Sequence, residues 1–553
     1  MNSQQYGDAP TRVNEQSTRK PATWRSSRWY LPIGGALALA WFLVRVIPKP
    51  SRATYPCQRA AFPIATGFIV WLLSGWSSLF AFRKARLHVH PARWMMAALC
   101  ILVATVAGTA FFLDQPTPSL FGQNAPPTQP VFSPTEPVNS PMGVAVGVKP
   151  GRVAWVHDPK ATSWDGTSNT PGWWDDSNTH PQAVSAMLSG VIRSVGDATT
   201  DKEAWTRIFA DFNKRAGKGA VSYKKGEKIA IKLNLNQCRN HGDGANASYI
   251  APQLVEALLK QLVTEVGAAP SDITFYDAIR NVPSTIFDRC TKNFPGVHFV
   301  DSVGGDRREK AVRATTDALT LVTGGNPIYF PTCVTEATYL INVAGLKGHT
   351  MAGMTVCAKN HLGSIFTADG AAAARTLHST LAVKMGRGGG EAPQQMGTYN
   401  SLVDLNGHKE LGGKTVLYLI DGLYASKHNE YRLDPTCKWE SAPFNGHWTS
   451  SLFASQDGIA IDSVALDFLR SEPTLSTIVT GAVDNYLHEA AQANKPPSKT
   501  VYDPNKDGKP LASQGVHEHW NNATDKKYSR NLGTGIGIEL VSVRASSTVA
   551  SAE

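Results

Sequence analysis

From residue 151 to about residue 543, short apolar runs alternate with stretches whose apolar positions recur at helical spacing. RVAWVHD (152–158), KIAIKLNLN (228–236), ITFYDA (273–278), HFVDS (298–302), YLINVAG (339–345), TVLYLIDG (415–422) and IGIELVSV (536–543) have the length and β-branched content of strands. Residues 180–194, 203–215, 250–266, 351–362 and 459–470 read as helices. This alternation predicts an α/β domain over residues 149–543, with a largely parallel sheet covered by helices and length enough for two lobes. KIAIKLNLN puts Ile229, Ile231, Leu233 and Leu235 on one face and Lys232, Asn234 and Asn236 on the other. A central strand would aim that polar face at a ligand or an internal network, whereas an edge strand would leave it in water.

The N-terminal part is patterned differently. Apolar runs of 18, 21 and 20 residues occupy 30–47, 62–82 and 94–113, near the roughly 20 residues a helix needs to cross a bilayer. They predict a three-helix transmembrane anchor over 30–113, behind a basic tail over 1–29. The first run carries Arg45 and also fits a signal peptide, although no small-residue cleavage site follows it. Basic residues crowd the tail and the loop 83–93, are fewer in the first loop, and vanish between Leu113 and Lys149. The positive-inside rule then puts the tail in the cytoplasm and the large C-terminal domain outside, on the periplasmic or outer side of a bacterial inner membrane. Residues 114–148 contain eight prolines and read as a tether, and residues 544–553 as a frayed tail.

Charge sharpens this division. Residues 1–93 hold 13 Lys and Arg against two acids, although the whole chain carries only +10. The domain is therefore close to neutral, and a nucleic-acid partner is excluded. None of the seven cysteines forms a CxxC pair, so no iron–sulfur cluster or zinc ribbon is expected. Outside a membrane, disulfides and free thiols remain equally open for the exported cysteines.

Chemistry gathers where the strands end: His157-Asp158, Asn234 and Asn236, Asp277, Asp301, Lys347 and His349, and Asp421-Gly422. Open α/β sheets bind ligands beyond the carboxyl ends of their strands. Any one of these residues suits a turn or cap equally well; six together favour a site. In GLKGHTMAGMTVCAKNHLG (345–363), the pattern predicts a loop to His349, Thr350 as N-cap and a helix to Leu362 closed by Gly363. Met351, Met354, Ala358 and Leu362 would face the core. Lys347 and His349 would stand at a helix N-terminus, which favours an anion and a neutral imidazole, with Lys359 reaching back to the same mouth. Lys347, His349, Lys359 and Asp421 are the expected catalytic residues, and Lys232, Asn234, Asn236 and Asn360 the expected ligand- or cofactor-binding ones. His157, Asp277 and Asp462 are the candidates for a divalent metal.

Three further motifs have mainly structural readings. WWDD (173–176) suits loop packing, with an aromatic or carbohydrate pocket as the alternative. GVHEHWNN (515–522) is a weak metal signal, and DPNKDG (503–508) begins like an EF-hand loop but has Gln514 at the final ligand position. GxSxG, HExxH, GxxxxGK[ST] and a strand-bound GxGxxG are all absent.

The string INVAGLKGHTMAGMTVCAKNHLGSI resembles the signature of the domain-of-unknown-function family 362, with its Asn-Val, Leu-Lys-x-His, Gly-x-Thr and Lys-Asn-x-x-Gly elements. GEKIAIKLNLN, LVDLNGHKELGGKTVLYLIDG and FASQDGIAIDSVALDFL, with Asp457 and Asp462, extend the resemblance over roughly residues 150–543. Some members of that family carry a fused iron–sulfur module, whose cysteine pattern this chain lacks. A weaker similarity is to the nickel-dependent lactate racemase fold, in which Lys and His residues between two lobes hold a nickel-pincer cofactor; that likeness is an analogy of fold. These features lead to the expectation of a membrane-anchored, outward-facing protein that binds a small anionic ligand or a metal-bearing cofactor, with or without catalysis. A non-catalytic sensing or assembly protein is the competing class.

Overall fold

The computed structural model describes Trp41 and residues 137–544, apart from residues 243, 245, 317, 323–326, 368–376, 379 and 384–393. The basic tail, most of the tether and the three apolar runs except Trp41 lie outside the described residues. Among the described residues no helix is long and apolar enough to cross a membrane.

One ten-stranded sheet runs through the domain. Its strands are β1 (Arg152–His157), β2 (Ile229–Leu233), β3 (Ile273–Tyr276), β4 (His298–Asp301), β5 (Glu309–Lys310), β6 (Tyr339–His349), β7 (Gly353–Thr355), β8 (Thr415–Ser426), β9 (Ser451–Ser455) and β10 (Glu539–Val543). Across the sheet they lie in the order β10, β1, β9, β8, β6, β2, β3, β4, β5, with β7 folded back on β6. Only β9 and β7 run against the rest, so the largely parallel sheet read from the alternation is present. The length that left room for two lobes is taken up by cover on both faces of this one sheet.

On one face lie α1 (Pro181–Gly196), α2 (Asp201–Arg215), α3 (Pro252–Gln261) and α4 (Ser284–Asn293). The other face is covered by α5 (Cys357–Asn360), α6 (Ser401–Gly407), α7 (Gly458–Ser471) and α8 (Asn485–Ala491). Local chemistry sets several ends. Pro181 opens α1 at the position where its missing N–H costs nothing. The Thr200 hydroxyl accepts from Glu203 N–H at 3.2 Å to start α2. Helix α3 runs on as a π turn to Val266 and stops at Gly267 in the left-handed region.

β2 is central, between β6 and β3. Its Ile229, Ile231, Leu233 and Leu235 therefore pack under α1–α4, and Lys232 and Asn234 point toward α5. Two elements differ from the sequence pattern. β9 (SLFAS) is too short and serine-rich to show a period, yet it is wholly buried and reverses the sheet. Residues 351–362 are not one helix: β6 continues through Lys347 to His349, turns, and returns as β7 before the single turn of α5. Thr350 caps nothing there; its N–H instead donates to Asn429 Oδ1 at 3.1 Å.

Cys290, Cys333, Cys357 and Cys437 are free thiols, which settles for these four the choice left open above. The DPNKDG turn satisfies itself, Asp503 accepting from Asp507 N–H at 3.2 Å and Gly508 N–H at 3.0 Å.

Asp457 ties three segments together. One of its oxygens accepts the first N–H groups of α7, from Ile459 at 3.1 Å and Ala460 at 2.9 Å. The other accepts Val146 N–H at 3.1 Å and Val516 N–H at 3.2 Å. A Cβ at residue 515 would lie 2.1 Å from this carboxylate, so only glycine fits beside it. Asp457→Ala strands three buried donors and the half-buried Val146 N–H. At about 1–3 kcal/mol for each unsatisfied group, relieved in part by relaxation, the loss expected is at least about 3 kcal/mol in denaturant unfolding of the full chain. Asp457→Asn should fall between the two.

Candidate functional site

The carboxyl ends of β2, β3, β6 and β8 surround a buried network with a cleft above it. At its base Lys232 is fully buried. Its ammonium donates to Leu233 O at 2.5 Å, Asp277 Oδ2 at 3.0 Å and Asn360 Oδ1 at 3.1 Å. Burial lowers the proton affinity of this amine, and Asp277 acts against that. A Cβ at Gly363 would fall 2.6 Å from Lys232 Nζ and 2.9 Å from Asp277 Oδ1, so the pair closes only over a glycine.

Asn360 is the hub of the amides. Its oxygen also accepts from Asn234 Nδ2 at 3.1 Å, and its Nδ2 donates to Asn342 Oδ1 at 2.8 Å and Val343 O at 3.0 Å. Asn342 in turn donates to Cys357 O at 2.9 Å and His361 Nε2 at 3.1 Å. Helix α5 is itself held from α7: Asp462 accepts Cys357 N–H and Ala358 N–H, each at 2.9 Å, and the Tyr486 hydroxyl at 2.6 Å.

Above this base, Lys347, Asn234, Asp421, Ser248, Tyr249 and Tyr424 line a cleft with Trp173 in its wall. It holds about 290 Å3 of empty space, counted out to open solvent. Asn234 is 6% exposed, and its Oδ1 has no hydrogen-bond partner among the described residues. Lys347 is 1% exposed and makes no hydrogen bond or ion pair with the described residues. Burial pulls its amine down to about 8, with Arg280 and Lys232 adding to the fall and Cys238 and Asp277 resisting it. Asp421 is pushed up to about 6 by burial, although it accepts Ala251 N–H at 2.7 Å and Leu423 N–H at 2.9 Å.

His349 accepts Met351 N–H at 3.1 Å and Ala352 N–H at 3.2 Å on Nδ1, which leaves the proton of the neutral ring on Nε2. Burial first, then the charges of Lys359, His378 and Lys347, keep the ring neutral. Burial rather than a helix dipole is the cause: Lys347 and His349 stand on a strand, with Lys347 opposite Thr355 of β7. Nδ1 is also committed, so the ring offers a donor rather than a base.

The sequence-derived residues separate into groups. Lys347, Asn234 and Asp421 share the cleft. Lys232 and Asn360 lie beneath it with their polar atoms engaged. Asn236 faces the side, donating to Asn429 O at 2.7 Å and accepting from Arg280. Lys359 opens into a different cavity. The metal candidates are not gathered. His157 bonds Thr449 O at 3.0 Å, Asp277 serves Lys232, and Asp462 caps α5. Among the described residues no group of three or more His, Cys, Asp or Glu is placed to hold a metal. The histidines of GVHEHWNN are built into the interior, His519 Nδ1 lying 2.5 Å from Asp467 and Nε2 3.5 Å from Asp484.

Trp173, given first to loop packing, is 1% exposed and walls the cleft with Tyr249 and Tyr424. Arg280 was missed. It follows Asp277 at the end of β3 and donates to Asn236 O at 2.6 Å, and its charge depresses both Lys347 and Lys359. Its position just past a strand end was the available signal.

Two measurements check this account. Asp277→Ala leaves a buried ammonium without its counter-charge and should cost about 3–5 kcal/mol in denaturant unfolding, with Gly363→Ala unfolding early for the same reason. The second follows from Lys347 at about 8 and Lys359 at about 7. The unfolded chain keeps these protons to about pH 10, so between pH 7 and 10 it binds more protons than the folded chain. Stability from these two groups therefore rises with pH across that window, by up to about 1.4 kcal/mol per unit for each lysine. The rise should flatten in Lys347→Met and Lys359→Met.

No curated protein matches the chain. The model of the family described as Domain of unknown function (DUF362) matches residues 229–467. That span runs from β2 through most of α7 and includes Lys232, Asn234, Asp277, Lys347, Asn360, Asp421 and Asp462. Over the strands and loops that build the cleft, the chain resembles the DUF362 family.

Proposed function

We propose that the cleft binds a small anionic ligand, with Lys347 as the residue that recognises its charge. The observation that carries this reading is an ammonium buried to 1% exposure with no acceptor among the described residues, in a neighbourhood that also holds Lys232 and Arg280. An ammonium in that setting lacks water and has no ion-pair partner among the described residues, Asp421 acting on it only across the cleft, and a bound anion would supply a direct counter-charge. Asn234 Oδ1 adds an acceptor for a hydroxyl or N–H of the same ligand, and Trp173, Tyr249 and Tyr424 offer a flat apolar wall for its body. Asp421, the acid in the cleft, has both oxygens occupied by backbone donors. That commitment favours binding over acid–base turnover at this point.

Membrane attachment belongs to the same proposal. The lengths of the three runs at 30–47, 62–82 and 94–113, and the clustering of basic residues at their flanks, support an anchor with the domain on the outer side. Alkaline phosphatase fused after residue 120 should be active in a bacterial host; an inactive fusion beside an active one after residue 88 would reverse the orientation.

Calorimetric titration of the full chain tests the ligand. Phenyl phosphate should bind more tightly than inorganic phosphate because it reaches the aromatic wall. Lys347→Met should weaken it at least tenfold, roughly 1.4 kcal/mol. Because Lys347 is pulled down to about 8, binding near pH 8 should take up protons, seen as a heat that varies with the buffer's ionisation enthalpy. Equal affinity in the wild type and Lys347→Met would defeat the reading.

A further inference from the structure

Lys359 lines a second cavity that shares no wall residue with the cleft of Lys347. We propose that Lys359 is the nucleophile of an imine-forming site for a small apolar aldehyde or ketone, seated in the cavity between β7, α5, α6 and α8. Met354, Val356, Leu402 and Val483 give this cavity an apolar wall, and it holds about 350 Å3 of empty space counted out to open solvent. Among the described residues of the wall Lys359 and Tyr486 are the ionisable ones, and the Tyr486 hydroxyl is committed to Asp462 at 2.6 Å. Lys359 is 9% exposed and makes no hydrogen bond or ion pair with the described residues.

Such an amine is poorly placed to stay charged. Burial is the main cause, and the charges of Lys347 and Arg280 add to it, bringing the amine to about 7. Near pH 7.5 most of it carries a free lone pair, against roughly one part in a thousand for an ordinary lysine. A free amine facing an apolar chamber is the arrangement that activates lysine toward carbonyl compounds. A carboxylate or phosphate suits this wall poorly, since it would lose its hydration against apolar side chains for a single cation.

The step balances without a co-reactant. The Nζ lone pair attacks the carbonyl carbon, the C=O π electrons move to oxygen, and a proton passes from nitrogen to that oxygen to give a carbinolamine. Expulsion of the hydroxyl with a second proton releases one water and leaves the C=N bond. Hydrolysis is the reverse, so carbonyl capture is reversible.

This inference does not depend on the anion reading, and the two fail separately: calorimetry with phenyl phosphate reports on Lys347, covalent trapping on Lys359. The test incubates the full chain with butanal and sodium cyanoborohydride, which reduces the imine to a secondary amine, and maps the alkylated lysines by peptide mass spectrometry. Lys359 should be alkylated at least tenfold faster than exposed Lys499, with a half-maximal rate near pH 7. The polar aldehyde glyceraldehyde should label it more slowly than butanal. Labelling should disappear from that peptide in Lys359→Arg, and Lys347→Met should slow it at neutral pH by returning proton affinity to Lys359. Leu402→Trp, checked for folding by circular dichroism, fills the cavity while leaving the amine in place and should block labelling. Labelling of Lys359 no faster than Lys499, or undiminished in a folded Leu402→Trp chain, would overturn the proposal.

Discussion

An ammonium in the middle of a parallel sheet sets the terms for everything around it. Lys232 has no contact with water, and an uncompensated charge there would cost several kcal/mol. It is tolerable because Asp277 sits on the next strand, Asn360 reaches down from α5, and Gly363 leaves the space through which the two charges meet. Each condition imposes another. Asn360 is in reach only while α5 keeps its place, and α5, a single turn with no stability of its own, is held by Asp462 from α7. α7 in turn begins at Asp457, which also gathers Val146 and Val516. Buried carboxylates thus form a relay of supports from the rear helix to the base of the cleft. This is weak evidence for high stability, but it explains why the network is so fully bonded: a half-satisfied set of buried polar groups would be worse than an apolar core.

How much of this was legible follows from the same residues. The alternation in KIAIKLNLN gave the faces of β2 correctly, because a period of two survives wherever a strand is packed on one side and bonded on the other. Whether the strand was central could not be read, since an exposed polar face and one turned on an internal network have the same pattern. The stretch 345–363 misled for a related reason. Met354, Ala358 and Leu362 are buried and recur at helical intervals, but a hairpin followed by one helical turn buries them equally well. What decides for the hairpin is distant in sequence: β8 runs on to Ser426 beside Lys347, and Gly348 admits Lys427 O where a Cβ would lie 2.4 Å away. β9 was invisible because five buried residues, two of them serine, show neither alternation nor a helical period. Of the site, the polar strand ends were legible one at a time; their division into base, cleft and second cavity depends on the side from which α5 approaches.

The lysines left without partners follow from an imbalance of charge. Arg280 acts on Lys232, Lys347 and Lys359, and Lys347 feels Lys232 and acts on Lys359; of the acids nearby, Asp277 is already paired with Lys232 and Asp421 has both oxygens on backbone N–H groups. Like charges in a medium poor in water make each proton harder to keep, so the cluster sheds charge at Lys347 and Lys359, where no acceptor holds it. The cluster is therefore less cationic near neutral pH than its composition suggests, and on the proposed reading an anion would restore its charge.

That response joins the two cavities. The charge of Lys347 depresses the proton affinity of Lys359, while the two amines face separate spaces. An anion seated on Lys347 offsets the charge that Lys359 feels, and Lys359 then holds its proton more firmly and attacks a carbonyl less readily. By linkage the effect is reciprocal: an imine at Lys359, protonated or not, changes the field at Lys347 and with it the affinity for the anion. No moving part is required, since such coupling would run through charge across the β6–β7 hairpin and one helical turn. With Lys359 on α5 and Lys347 on β6, both of lowered proton affinity, occupancy of one proposed site would set the reactivity of the other.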